Sequence, residues 1–154
     1  MNNGEIWNQF PTDFQNNVTP VLKQTNNMAY GSSSGSSASA TADKVWLVSY
    51  RELVSTMYDG WKTYGGFQAW SQEGSQYEYF SGKVTNNYSG NGILSGIYKT
   101  VSGSTPLGAD YDYWWERSPY PYHCGYFLLV DSNGDPSYNR GAHYRYSVVP
   151  AFSF

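Results

Sequence analysis

Few residues in this chain have the type and spacing that bond-making chemistry needs. Its one cysteine, Cys124, sits beside His123. A thiolate nucleophile needs a base aimed at it, and neighbours on an extended segment point to opposite faces. One cysteine and two histidines do not fill a Cys/His zinc site. Asp131, Asn133 and Asp135 around Gly134 match part of a calcium loop. The EF-hand order places its glycine one position later and closes with Glu, so a β-turn is the favoured reading and a weak calcium site the alternative. Glu116 and Arg117, inside WWERSP, read as a buried pair or as holders of loop backbone, a scaffold role more than a catalytic one. The GSSSG run lacks the lysine of a phosphate loop. No cofactor and no metal are expected, and the chain reads as a binding protein, not an enzyme. An enzyme working through Cys124/His123 or Glu116 is one rival. A structural domain without a specific ligand is the other.

The stretch with the densest recognition chemistry is Tyr120–Tyr146. It holds six Tyr, both His and two of the four Arg, interleaved with Pro, Gly and Ala. Tyrosine gives stiff contact area with a polar edge, and short polar residues supply adaptable hydrogen bonds. Such a mixture suits a binding surface better than a core. The plain alternative is a pair of polar loops flanking a hairpin.

Composition narrows the partners. Aromatic residues make up 19% of the chain and charged residues only 14%, with a net charge of −3. The nine Lys and Arg are scattered, so a nucleic-acid partner is not expected. No apolar run is long enough to span a membrane, and no membrane insertion is expected. The N-terminal MNNGEIW lacks a signal-peptide pattern and reads as the interior of a longer chain.

The elements that must position the Tyr-rich run follow from period and punctuation. With 154 residues the chain is read as one domain. Residues 5–25 read as helical: Pro11 precedes Thr12 and Asp13, and Phe14, Val18 and Leu22 form a stripe that Pro20 kinks or splits. Residues 26–42, rich in Gly, Ser and Ala, read as a flexible loop. KVWLVSY at 44–50 reads as a strand buried on both faces, and 51–58 as a short helix. Residues 59–72 read as irregular, pinned by Trp61, Phe67 and Trp70. Residues 73–83 read as one or two helical turns carrying Tyr77 and Phe80, and 84–112 as loop. Tyr111–Arg117 and Tyr126–Asp131 read as strands, with a hairpin turn at 132–135. Tyr146–Phe154 reads as a closing strand with Pro150 at an edge or bulge. Short strands, few helices and much loop give an α+β domain.

One compositional gap has no physical cause. Residues 119–154 contain no Lys, Glu, Gln, Met or Trp, whereas residues 1–118 contain 25 of them. A simple proportion expects about seven in the last 36 residues, against base rates in which these are ordinary surface types. Nothing about a surface loop excludes Lys or Gln. These five are the types that no codon ending in a pyrimidine encodes, so the gap points to how the gene segment is written.

WWERSP, a varied run around FLLV and NG, and a terminal VVPAF together resemble the C-terminal region (residues 113–154) of variable proteins from diversity-generating retroelements. Upstream, PTDFQNNVTPVLKQTNN, ADKVWLVSYREL and QYEYF are similar to further blocks of gut-phage and bacterial members, so the resemblance covers most of residues 10–154. The resemblance implies a C-type lectin-like fold, distantly similar to that of the formylglycine-generating enzyme. It also implies adenine-directed mutagenesis whose outcomes never include the five missing types. Matched by position, the diversified, ligand-binding residues are Tyr120, Tyr122, His123, Gly125, Tyr126, Leu129, Asp131, Asp135, Ser137, Tyr138, Asn139, Arg140, His143, Tyr144 and Arg145. Scaffold positions are Trp114, Trp115, Arg117, Phe127, Val130, Gly134, Pro150 and Phe152. The diversified set is implied to occupy one face of a rigid framework. The implied partner is a host cell-surface protein or glycan, met at a phage tail (virion) or on a bacterial cell surface, and a homo-oligomer in the parent particle is compatible with it. No paired active-site cysteines carry over.

Overall fold

The computed structural model describes residues 4–27, 38–56, 61, 70–84, 110–120, 123, 125–132 and 134–154, with the side chains of 110–112 excepted. Two short helices, α1 (Glu5–Asn8) and α2 (Thr12–Asn17), open the chain. Then come β1 (Val21–Asn26), β2 (Ala38–Asp43), β3 (Trp46–Leu47) and helix α3 (Tyr50–Leu53). A 3₁₀ turn at Glu78–Phe80 precedes β4 (Asp110–Pro119), β5 (Tyr126–Val130), β6 (Tyr138–Gly141), β7 (Tyr146–Ser147) and β8 (Pro150–Ala151). Few helices and mostly antiparallel strands make this a mixed α+β fold rich in β-structure.

The strands form three sheets. β1 and β2 make an antiparallel hairpin, β3 pairs with β8, and a four-stranded sheet runs in the order β6-β5-β4-β7. In the large sheet, β4–β5 and β5–β6 are antiparallel and β4–β7 is parallel. The hairpin replaces two sequence expectations. Residues 21–25 are strand, not helix: Pro20 ends the helical stretch after Val18, and β1 takes its pairing from β2. Leu22 therefore leaves the apolar stripe and is 66% exposed. Residues 38–42, inside the expected flexible loop, are the partner strand; 28–37 lie outside the described residues.

Elsewhere the strand and turn readings match. The 44–50 strand shortens to β3, flanked by buried Val45 and Val48, and Tyr50 already belongs to α3. The expected 51–58 helix shortens to α3, which ends at Leu53 where Val54 turns extended, with 57 and 58 outside the described residues, and the 73–83 stretch holds the 3₁₀ turn. β5 and β6 flank the expected hairpin turn, where Gly134 adopts φ +85°, a left-handed value that suits glycine. The single closing strand divides into β7 and β8, which join different sheets. Pro150 sits in the two-stranded sheet, where its missing N–H is tolerated at an edge. Phe67 and residues 85–109 lie outside the described residues.

Two apolar clusters hold the elements. The main one joins Val48, Tyr50, Leu53, Val54, Trp61, Trp70, Val84, Trp114, Leu128 and Val130. The second gathers Trp7, Val18 and Val45, with Phe10 and Phe14 against them. Phe14 meets Phe152 edge-on at 4.8 Å, and Thr19 N–H donates to the Ser153 carbonyl at 2.8 Å. The C-terminal PAFSF is thus clamped on the N-terminal helices.

Between the clusters lies a buried ionic network centred on Glu52. One carboxylate oxygen accepts from Lys23 Nζ at 2.8 Å and from the Tyr77 hydroxyl at 2.7 Å. The other accepts from Arg117 Nη1 at 2.5 Å and Ser49 N–H at 3.0 Å. The Ser49 bond is half of a capping box that starts α3. Arg117 also donates to the carbonyls of Gln24, Leu47 and Glu73. The partner of Arg117 is therefore Glu52, and Arg117 holds loop backbone as well. Burial alone would raise the Glu52 carboxyl; the hydrogen bond and charge of Arg117, then Lys23 and Ser49, outweigh it and hold the pKa below the ordinary range.

Removing one member of a buried pair strands the others, at a cost of about 3–5 kcal/mol. Glu52→Gln is expected to lose stability of that order at neutral pH in urea unfolding. Because the folded pKa of Glu52 lies below its unfolded value, its contribution is present above the unfolded pKa and fades as pH falls through the folded one. The gap between Glu52→Gln and the parent chain should narrow on acidification, and a gap that widens would contradict the network.

Candidate functional site

The large sheet has two faces set by strand alternation. On one, Trp114, Leu128 and Val130 enter the main core, and Glu116 and Ser118 are buried beside them. Register places Trp115 opposite Leu129, Leu129 opposite Tyr138, and Phe127 opposite Arg140. These residues therefore share the other face. Aromatic rings cover it. Tyr113 lies 5.4 Å from Tyr138 and 5.3 Å from Tyr146, and Trp115 lies 5.3 Å from Tyr146. Tyr146 is stacked with Tyr144 at 6.0 Å and an interplanar angle of 12°. The Arg140 guanidinium lies over the Tyr138 ring at 4.3 Å and donates to the Tyr138 hydroxyl and the Asn139 carbonyl. Beside this layer is a recess of about 310 Å³, lined by Leu47, Trp115, Arg117, Phe127 and Ala142 among others.

The residues singled out in the sequence divide among several settings. Tyr138 and Arg140, half-buried, belong to the aromatic face, and Tyr144 (48% exposed) is stacked at its margin. His143 and Arg145 flank Tyr144 and are exposed. Tyr126 and Asn139 have the opposite strand parity and stand on the core-side face, where they are half-buried. Tyr126 meets His123 at 4.3 Å and Tyr120 at 6.4 Å, and Tyr120 meets the buried Trp61 edge-on. Tyr120 thus serves partly as core packing. Gly125 is exposed, with φ +78° and a carbonyl that accepts from Ala142 N–H at 2.8 Å. Tyr122 and Cys124 lie outside the described residues.

Three of the fifteen are buried and present no side chain to solvent. Leu129 is 0% exposed because Trp115 and Tyr138 flank it across both neighbouring strands. Asp135 and Ser137 are consumed in the turn: Asp135 Oδ1 accepts from Ser137 N–H and Oγ. Asp131, half-buried, accepts Asp135 N–H on its own carboxylate at 2.8 Å. The turn reading thus accounts for these carboxylates, though burial still raises the Asp135 pKa against the Ser137 bonds. Conversely, Tyr113, Trp115 and Tyr146 belong to the aromatic face and were absent from the sequence-read set. Their signal was the parity they share with the β6 residues, readable only once register is known.

Of the expected scaffold positions, Trp114, Val130 and Gly134 are buried and Arg117 is locked into the ionic network. A second recess, of about 620 Å³, is lined by Lys23, Trp46, Tyr77, Phe80, Trp114 and Pro150 among others. Its polar groups Lys23 and Tyr77 are both committed to Glu52, and no residue of the Tyr-rich run lines it. Among the described residues no cluster of His, Cys, Asp and Glu is placed to hold a metal, and no helix is long and apolar enough to cross a membrane.

With the geometry in hand, the family can be stated. The sequence profile described as a domain of unknown function, DUF6273, matches residues 2–154, and the chain belongs to that family. Comparison with curated proteins and with solved structures gives no match.

Glu116 is the anomaly of the core-side face. It is 2% exposed, and neither carboxyl oxygen has a hydrogen-bond partner. Burial, then the nearby charges of Glu73 and Asp135, push its pKa well above the ordinary range. An acid with a raised folded pKa contributes stability that is fully present below the unfolded pKa and is lost as pH rises toward the folded one. Glu116→Gln removes that titration. Thermal melts should show the variant gaining on the parent chain as pH rises above the ordinary carboxylate range. A difference that stays constant as pH rises would mean Glu116 is not held protonated.

Proposed function

We propose that this chain is a ligand-binding domain of C-type lectin-like fold, and that the aromatic face of its large sheet is the recognition surface. The observation that carries the reading is the gathering of Tyr113, Trp115, Tyr138, Tyr144 and Tyr146 around Arg140 on the side of the sheet facing away from the main core. Aromatic and guanidinium groups are the common anchors of binding surfaces. Tyr138, Arg140, Tyr144 and Arg145 also belong to the stretch that lacks Lys, Glu, Gln, Met and Trp. On this reading that stretch is rewritten by a diversity-generating retroelement, and the domain serves attachment to a host cell-surface protein or glycan, at a phage tail or a bacterial surface.

The reading is of a binder, not an enzyme. His123 is exposed, Glu116 is sealed from solvent, and Lys23 and Tyr77 are already bonded to Glu52, so none of them is poised as a free acid or base. A rewritable surface also has to leave the fold intact. Tyr144→Ser and Arg145→Ser should each change unfolding free energy by less than about 0.5 kcal/mol, whereas Leu129→Ser should cost about 2–5 kcal/mol.

The deciding experiment is sequencing the DNA around the gene. The expected result is a near-copy of the segment encoding residues 119–154, with adenines at the codons for Tyr138, Asn139, Arg140, His143, Tyr144 and Arg145, beside a reverse transcriptase. A locus without such a copy would sink the diversification reading and leave the binding face to be tested by Tyr144→Ala.

A further inference from the structure

Among the described residues after the β5–β6 turn, the charge is one-sided. From Pro136 to Phe154 the chain holds Arg140, His143 and Arg145 and no Asp or Glu, although the whole chain carries a net charge of −3. The preceding carboxylates are hydrogen-bonded within their own turn, Asp131 to Asp135 N–H and Asp135 to Ser137, which directs them without cancelling their charge. Glu116, on β4, is buried, has the opposite strand parity and also lines the recess. Arg117, which lines the recess too, is paired with Glu52, a carboxylate it shares with Lys23.

Among the described residues Arg140 has no carboxylate partner. Its contacts include the Tyr138 ring and hydroxyl, the Asn139 carbonyl and the Tyr146 hydroxyl, all neutral acceptors. They orient the guanidinium without cancelling its charge. Half-burial among rings also strips part of its hydration, so an arriving carboxylate gains more there than at a fully solvated arginine. Arg140 is the cross-strand partner of Phe127, and Phe127 and Trp115 line the recess of about 310 Å³.

We infer that in this version of the face the ligand is an acidic glycan, with a sugar carboxylate on Arg140 and the apolar face of the same sugar ring against Phe127 and Trp115. The inference rests on the binding-face reading above and specifies its ligand class. A sugar ring needs a shallow aromatic floor with a charge beside it: Phe127 and Trp115 line the recess, and Arg140 is the cross-strand neighbour of Phe127. A peptide needs either deep side-chain pockets or a free strand with matching register, and the recess is small. Arg145 and His143 extend the same sign of charge along the margin, for neighbouring acidic sugars.

The test measures binding of the full chain to a short oligogalacturonate, to its methyl ester, to sialylated and neutral oligosaccharides, and to a poly-glutamate peptide of matched charge. The uronate or the sialylated sugars should bind at least about tenfold tighter than the ester and the neutral set. Arg140→Gln should remove that preference with an unchanged melting temperature, and raising salt should weaken binding. Equal binding of acid and ester, or an unaffected Arg140→Gln, overturns the acidic preference while the face itself stands. Tighter binding of poly-glutamate overturns the glycan in favour of an acidic peptide, and binding to none of the acidic probes overturns the inference outright. Binding that survives both Tyr144→Ala and Trp115→Ala overturns the face together with it.

Discussion

The Glu52 carboxylate is the point on which the structure depends. It takes donors from β1, from the start of α3, from the segment after residue 73 and from β4, elements that no single sheet joins. Isolated, each partner would be a buried charge with a large desolvation cost; together they satisfy one another. Arg117 extends the same junction to three backbone carbonyls. Gln24 and Leu47 stand in the short strands β1 and β3 and Glu73 outside any strand, and a fold with so much irregular chain needs more than strand pairing to satisfy buried backbone. The polar junction does in this protein what longer sheets do in others.

Glu73 and Ser118 continue the junction under the large sheet. Glu73 accepts from Asn26 N–H at 2.8 Å and from Ser118 Oγ at 2.6 Å, and Ser118 Oγ in turn accepts from Tyr50 N–H. Burial raises Glu73 even against those bonds, and the orphaned Glu116 lies in the same core-side layer. That layer therefore holds two buried carboxyls whose pKa burial raises. The layer of rings on the outward face is held by ring contacts and by Leu129 beneath, with Arg140 as the only described charge inside it.

The sequence made the strands of the last third legible because their signals are local: FLLV is an apolar run, and SNGD supplies the turn that Gly134 completes with a left-handed φ. The N-terminal misreading has a physical cause as well. Residues 14, 18 and 22 carry a helical spacing, but Leu22 is a strand residue that pairs across β2 with Ala42, twenty positions away. Pairing at that distance overrides a three-point period. The ionic network was out of reach for the same reason. Lys23, Glu52, Tyr77 and Arg117 are spread over 95 residues, and adjacency suggested Glu116 for Arg117 where geometry chose Glu52. The Tyr-rich run was recognisable by composition, yet composition does not assign a residue to one side of a sheet. Register does, and it separated Tyr138 and Arg140 from Tyr126 and Asn139.

That separation bears on how a recognition face can change without loss of the fold. Side chains of Tyr138, Arg140, Tyr144 and Arg145 touch one another, the solvent or the Tyr113–Trp115–Tyr146 layer, and none enters the main core. Exchange at these positions alters contacts that are worth little to folding. Leu129 is the exception, since it fills the space between Trp115 and Tyr138 and has no exposed surface. A substitution there must be apolar and of similar size. On the proposed binding reading, side chains along β6 and the turn leading to β7 are free to vary, and those on β5 are constrained by packing. The boundary between tolerant and constrained positions then runs between strands, not along the sequence.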